Sequence, residues 1–301
     1  MEPQRASDPS PAGFEQVRYE VPIPHVARIT MSRPEARNAQ GLQMTYELNA
    51  AFDIAARDDA IKVIILAGDG PHFSAGHDLG GDRGRTWRDF PVVGTWAGFD
   101  LDGAEGRYAR EKEIYLEITE RWRNLPKPTI AQVHGKCIAG GLMLAWCCDL
   151  IVAASNAQFR DPTLEMGVCG VEFFMHPWEV GARQAKEWLF TSDWLSAEEA
   201  RSLGMVNRVV PDDELESFTL DLAARIARKP AFALKATKEA VNHVQDVQGR
   251  RNAMMHVFSL HHLCHANNEL QWQMPVHPDG FAPAVREAFM KRMAEAKKPA
   301  A

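Results

Sequence analysis

Two glycine-containing segments hold the residues best suited to chemistry. One runs Gly70-Pro-His-Phe-Ser-Ala-Gly-His-Asp-Leu79, and the other runs from Lys127 through His134-Gly135 to Ala139-Gly140-Gly141. Each follows a short apolar run and reads as a strand-to-loop junction, where glycine lets backbone N–H groups turn toward a ligand. The second also opens onto Leu142 to Cys148, an apolar stretch at helical spacing. The first N–H groups of a helix lack intrahelical acceptors and favour negative charge. Two donors meeting on one oxygen form an oxyanion hole, which stabilises charge as it develops on a carbonyl. Either glycine cluster alone also fits an ordinary tight turn.

Among the titratable residues, Glu172 lies five positions after Gly167 and is flanked by Val171, Phe173 and Phe174. Burial among such neighbours would raise its pKa and bring it nearer the operating range of a general acid or base. Asp161 and Glu165 flank Thr163 and share its face at a period of two. Each reads as an ordinary surface or salt-bridged acid, with a role facing the site left open. His134 precedes a turn glycine and reads as structural. His256, His261, His262 and His265 cluster in a helical stretch, and His261/His265 have the i, i+4 spacing of a metal pair. No nearby carboxylate completes a site, so the stretch is read as a helix face or subunit contact and no metal is expected.

The elements that must position these residues follow from periodicity. Val26 to Met31, Val63 to Leu66, Thr129 to Val133, Leu150 to Ala154 and Val206 to Val210 read as strands. Leu42 to Ala56, about Glu111 to Trp122, and Leu142 to Cys148 read as helices between them. Strands alternating with helices predict an α/β sheet with crossover connections. Leu79 to Arg110, rich in Gly, Arg and Asp, reads as a long surface loop. Ala197 to Leu203, Leu215 to Arg228, Ala231 to Val244 and Ala284 to Ala296 make the last third helical. The expected organisation is a disordered tail over 1–15, an α/β core over 16–212 and a helical region over 213–301 that serves assembly.

Composition sets outer bounds. The 301 residues are 46% apolar and 25% charged, with a formal net charge of −6 and no basic block, so nucleic acid is not an expected partner. No run approaches the ~20 apolar residues needed to span a bilayer, and no secretory signal is evident. Five cysteines without C-x-x-C spacing read as reduced thiols of a cytoplasmic protein.

Taken together, the motifs resemble the crotonase (enoyl-CoA hydratase/isomerase) superfamily. The resemblance rests on Arg37-Asn38-Ala39, Phe73 to Leu79, Lys127 to Ala131, Gly140-Gly141, Cys148-Asp149, Ser196 to Ala200 and Gly204 to Asn207, in order from about residue 26 to 212. It implies a spiral of ββα units, a C-terminal trimerisation region, and homotrimers or homohexamers. It also implies an acyl-CoA substrate whose thioester carries the coenzyme A, with no other cofactor. Residue by residue, it assigns the oxyanion hole to the N–H groups of His77 and Gly140. Ala36, Ala75, Asp78 and Leu79 would hold the CoA moiety, with Lys291 or Arg292 near its phosphates, while Arg37 reads equally as a solvated surface charge or as a phosphate contact. The two glutamates of the hydratase reaction would fall at positions 143 and 163, which here are Met143 and Thr163. Glu172 is therefore the expected acid/base of an enolate-forming enzyme whose exact reaction is open. The alternative is a catalytically silent acyl-CoA-binding homologue.

Overall fold

A continuous apolar run such as Val63-Ile-Ile-Leu66 suits a strand covered on both faces, and the computed structural model puts it at the centre of a sheet. The structure describes residues 13–79 and 85–280, together with 283, 286, 287 and 291. Most of the expected tail over 1–15, most of the expected helix over 284–296, and Arg292 lie outside the described residues. Lys291 is described and exposed.

Nine strands are seen among the described residues: β1 (Val17–Ile23), β2 (Val26–Met31), β3 (Val63–Gly68), β4 (Thr129–Val133), β5 (Lys136–Ile138), β6 (Leu150–Ala154), β7 (Gln158–Arg160), β8 (Leu195–Ser196) and β9 (Arg208–Val210). Six form a sheet in the order β1-β2-β3-β4-β6-β9, and β5-β7-β8 form a second. Strands β2 to β9 of the large sheet run parallel, with β1 antiparallel at the edge. Parallel neighbours need crossovers, supplied by α1 (Leu42–Arg57), α2 (Gly103–Glu111), α3 (Ile118–Arg123), α4 (Gly140–Trp146), α5 (His176–Val180), α6 (Ala182–Thr191) and α7 (Ala197–Ser202). The chain adds β4 to the large sheet, β5 to the small one, then α4; it repeats this with β6, β7 and α5. Successive turns of a ββα spiral thus build both sheets. Helices α8 (Leu215–Ala227), α9 (Ala231–Val247) and α10 (Arg250–Trp272) complete the described chain.

The alternation within β3 divides the core. Ile64 and Leu66 join Met44, Phe52, Phe73 and Trp122 on one face, while Val63 and Ile65 pack under α8 on the other. Two polar staples tie the spiral. Asp149 Oδ2 accepts from Thr129 N and Oγ1 at 2.7 and 3.0 Å, and Lys127 Nζ donates to the carbonyls of Ala55 and Asp58 at 2.7 and 2.6 Å.

The loop expected over Leu79 to Arg110 is shorter than the sequence suggests. Helix α2 begins at Gly103 and continues through a π-helical turn, Lys112–Glu117, into α3. Gly106, inside α2, is a close-approach residue: a Cβ there would lie 1.7 Å from the Leu101 carbonyl oxygen. Glu113, 1% exposed, ties part of the remaining loop down by accepting from Val93 N and Gly94 N at 2.6 and 2.8 Å.

Candidate active site

Asn38 organises the first glycine segment. It is fully buried with a left-handed φ of 52°, and its Nδ2 donates to the carbonyls of Asp69 and His72 at 2.8 and 2.9 Å. Its Oδ1 accepts from Arg33 N at 2.9 Å. Ala75 N then donates to Arg37 O, Gln40 N to Gly76 O, and Asp78 N to Gln40 O, all at 2.8–2.9 Å. These bonds lay residues 36–40 beside 74–78 and so gather Ala36, Ala75, Asp78 and Leu79 onto two paired segments. The Asp78 carboxylate is held by Arg33 Nη1 at 2.9 Å, and Leu79 is exposed. Arg37, with φ 53°, is exposed beside them.

The two glycine segments touch backbone to backbone. A Cβ on Gly76 would lie 2.8 Å from the Ile138 carbonyl oxygen and 3.1 Å from Gly140 N. One on Gly140 would lie 2.5 Å from His77 Cε1, and one on Gly141 would lie 2.7 Å from the Ser74 carbonyl oxygen. Glycine at these positions is therefore a packing requirement as well as a turn signal. The approach brings His77 beside Gly140, and neither N–H is among the hydrogen-bonded backbone donors of the described residues. Ala139, just before α4, holds a φ of 47° that L-residues rarely adopt.

Glu172 reaches this junction through the His77 ring. Its Oε2 is 3.0 Å from His77 Nε2, and the residue is 4% exposed. A carboxylate accepts, so Nε2 carries the hydrogen and a neutral His77 leaves its lone pair on Nδ1. That nitrogen is buried without a hydrogen-bond partner and would lie 2.6 Å from a Cβ at position 140. The opposite support is Tyr115, whose ring stacks on the imidazole at a centroid distance of 3.6 Å. Met143 is fully buried, and Thr163 is buried with its hydroxyl bonded to Asp161 at 2.6 Å.

The expected rise of the Glu172 pKa is reversed. Burial does push it up, but the charges of His77 and His261 outweigh burial and hold the carboxyl well below its ordinary value of 4.5. Its neighbours in sequence are apolar; its neighbours in space include imidazoles. The reasoning that no nearby carboxylate completes the histidine cluster is likewise overturned. Glu111, from α2, places Oε2 3.3–3.6 Å from the Nε2 atoms of His261, His262 and His265, and Glu172 Oε1 lies 3.5 Å from His261 Nε2. Burial, then the charge of Glu172, raises the Glu111 pKa well above 4.5. Burial, then the charge of His261, lowers His262 to about 3 and His265 to about 4. Glu111 carried no signal in the sequence beyond its place next to an apolar helix.

The remaining candidates fall elsewhere. Asp161 is fully buried against His176 Nε2 at 2.8 Å, and Glu165 is exposed in a pair with Arg160 at 2.6 Å. His134 Nε2 bonds the Gly70 carbonyl at 2.7 Å, a structural contact. His256 is exposed. A cleft of about 710 Å³ lined by Arg123, Trp146, Asp149, Trp178, Lys238 and Asn242 is separate from the His77/Gly140 junction.

Comparison with known proteins bears on this geometry. The family model described as enoyl-CoA hydratase/isomerase matches residues 24–89 and 96–274. The chain is 47% identical over 264 residues to the Mycobacterium tuberculosis protein named "Putative enoyl-CoA hydratase EchA13", covering 85% of this chain and 83% of that one. A probable enoyl-CoA hydratase from Mycobacterium smegmatis has a solved structure that superposes with a TM-score of 0.78 at 47% identity, over 87% of this chain and 99% of that one. An enoyl-CoA hydratase/isomerase from Xanthobacter autotrophicus Py2 gives 0.76 at 32% identity, over 95% of this chain and all of the other.

Proposed function

Because the chain belongs to the enoyl-CoA hydratase/isomerase family and has the crotonase fold, we propose that it binds an acyl-CoA thioester and forms its enolate at the His77/Gly140 junction. The observation that supports this reading is the contact between the two glycine segments, which brings the His77 ring against Gly140, two residues whose backbone N–H groups are not among the hydrogen-bonded backbone donors of the described residues. These two N–H groups would share the thioester carbonyl oxygen and hold its negative charge as the α-proton leaves. Ala36, Ala75, Asp78 and Leu79 would line the path of the CoA moiety, which arrives with the substrate. The acid/base is the His77–Glu172 pair. Glu172 accepts from Nε2–H and fixes the ring tautomer, and Nδ1, buried against Gly140 in the free chain, would be uncovered by the bound substrate to take the α-proton and later return it. Held as a carboxylate, Glu172 also stabilises the imidazolium formed meanwhile.

This division of labour makes a clean test possible, because the His77 N–H survives any change of its side chain. Purified protein is incubated with a panel of acyl-CoAs in deuterated water, and α-carbon exchange is followed by mass. His77→Gln and Glu172→Gln should retain acyl-CoA binding and each lose about 10²–10⁴-fold in exchange, the usual cost of losing a general base. Undiminished exchange in His77→Gln would reject the imidazole as base. Binding with no exchange in the wild type would leave a silent acyl-CoA-binding homologue.

Assembly into homotrimers or homohexamers is part of the same proposal. The single chain exposes Phe232 and Val247 on α9 and Leu263 and Leu270 on α10, by 64–85%. These exposed apolar side chains on consecutive helices would be covered in the proposed interface.

A further inference from the structure

We infer that Glu111, His261 and His265 form a binding site for a first-row divalent cation. The inference does not depend on the proposed acyl-CoA chemistry. It rests on lone pairs that converge on one another inside the protein. His261 Nδ1 is 2.8 Å from the Gly170 carbonyl oxygen, and His265 Nδ1 is 2.5 Å from that of Pro275. A carbonyl can only accept, so both Nδ1 atoms carry hydrogen, and in its neutral form each ring presents a bare Nε2 lone pair. Those two nitrogens face each other at 2.9 Å. Glu111 Oε2 stands 3.6 Å from each. With both rings neutral and Glu111 a carboxylate, the arrangement gathers acceptors without a donor, which is costly for buried groups unless a cation sits between them.

The dimensions suit a metal ion. Imidazole and carboxylate ligands bind zinc at about 2.0–2.1 Å, which in a tetrahedron separates neighbouring ligand atoms by about 3.3 Å. The triangle here has sides of 2.9, 3.6 and 3.6 Å. His262 Nε2 lies 3.3 Å from Glu111 Oε2 beside this triangle, and both of these atoms are buried without a hydrogen-bond partner. The Nδ1–H···O=C bonds are the outer contacts that orient metal-binding histidines. The side chains of His261, His265 and His262 are 4%, 9% and 10% exposed, and that of Glu111 is 16% exposed. Two imidazoles with one carboxylate select Zn²⁺, Co²⁺ or Fe²⁺ over Mg²⁺ or Ca²⁺. The ion would tie α2 to α10, with Glu172 Oε1 3.5 Å from the His261 Nε2 that would ligate it.

Cobalt provides the probe. Chelator-treated full-length protein is titrated with Co²⁺, followed by visible d–d absorption, and then challenged with Zn²⁺; Mg²⁺ serves as a second titrant. One Co²⁺ per chain with Kd at or below about 1 μM, displaced by Zn²⁺ and not by Mg²⁺, is expected. Glu111→Gln keeps the shape of the side chain and should weaken binding about 100-fold or more, as should His265→Ala. His256→Ala, on the exposed side of the same helix, should bind as the wild type does and report on nonspecific uptake. The melting temperature should rise with Zn²⁺ in the wild type and not in Glu111→Gln, a readout independent of turnover. No stoichiometric uptake by folded wild type would overturn the site and leave a shared proton as the cation. Uptake undiminished in Glu111→Gln and His265→Ala would overturn it as well.

Discussion

Met143 and Thr163 stand where the resemblance implies the two carboxylates of the hydratase reaction, and both are buried. Neither side chain can serve as a general acid or base at neutral pH. Crotonyl-CoA hydration is therefore expected to fall well below ~10 s⁻¹, the middle of the usual range for enzymes; a rate at or above it in a steady-state assay would mean that another acid serves. Gly140 makes a second residue-level prediction. Its missing Cβ is what admits the His77 ring, which Tyr115 blocks from the other side. Gly140→Ala should displace the imidazole and cost on the order of 10²-fold in α-proton exchange, a usual penalty for misplacing a catalytic group by ~1 Å. In a His77→Ala background the same substitution should cost much less, so the double-mutant cycle reads out the contact. Equal costs in both backgrounds would mean that Gly140 acts without the ring.

At the scale of elements, the devices that set the site are short and local. Ser196 caps α7 in a reciprocal box: its Oγ accepts from Glu199 N at 3.3 Å, and Glu199 Oε2 accepts from Ser196 N at 2.8 Å. Ser196→Ala should lower stability by about 0.5–2 kcal/mol in urea denaturation, with the slope unchanged. A cost near zero would show that packing alone starts this helix. The π-helical turn between α2 and α3 has a different consequence. Its extra residue shifts the helix face, so that Tyr115 meets His77 while Glu113 pins the loop. Such turns recur at functional sites.

For the molecule as a whole, stability against acid should depend on the Asp161–His176 pair. Both side chains are fully buried, and Asp161 also accepts from Thr163 Oγ1. Burial pushes the Asp161 pKa up, but the hydrogen bond and charge of His176, then Thr163, bring it below its ordinary value of 3.8. A carboxyl lowered in the folded state stabilises fully above that value and loses its contribution as pH falls through the folded pKa. Asp161→Asn should cost about 3–5 kcal/mol at pH 7, as for breaking other buried pairs. The gap between the variant and wild type should stay flat down to about pH 5 and narrow below 3.8. A gap that narrows already between pH 7 and 6 would assign the dependence to another group. Assembly belongs to this scale too. Leu270, 85% exposed in the single chain, should when changed to Asp shift sedimentation toward smaller species.

The sequence by itself determined the scaffold. Val26 to Met31, Thr129 to Val133 and Leu150 to Ala154 appear as the strands their apolar runs predict, and α1, α8 and α9 fall within a few residues of their periodic segments. The two glycine segments and the absence of acids at 143 and 163 were also legible, because turn chemistry and residue type are local. Helix α2 was not: Gly106 looks the same in sequence whether it breaks a helix or admits a carbonyl. Tertiary structure alone decided the electrostatics. Glu172 is flanked by Val171 and Phe173, yet its carboxylate meets His77, 95 positions earlier. Glu111 meets His261 and His265 across some 150 residues of chain. A charge responds to whatever lies within a few ångströms in a medium of low dielectric. Periodicity along the chain specifies which face is buried, but not which distant element will bring the counter-charge to it.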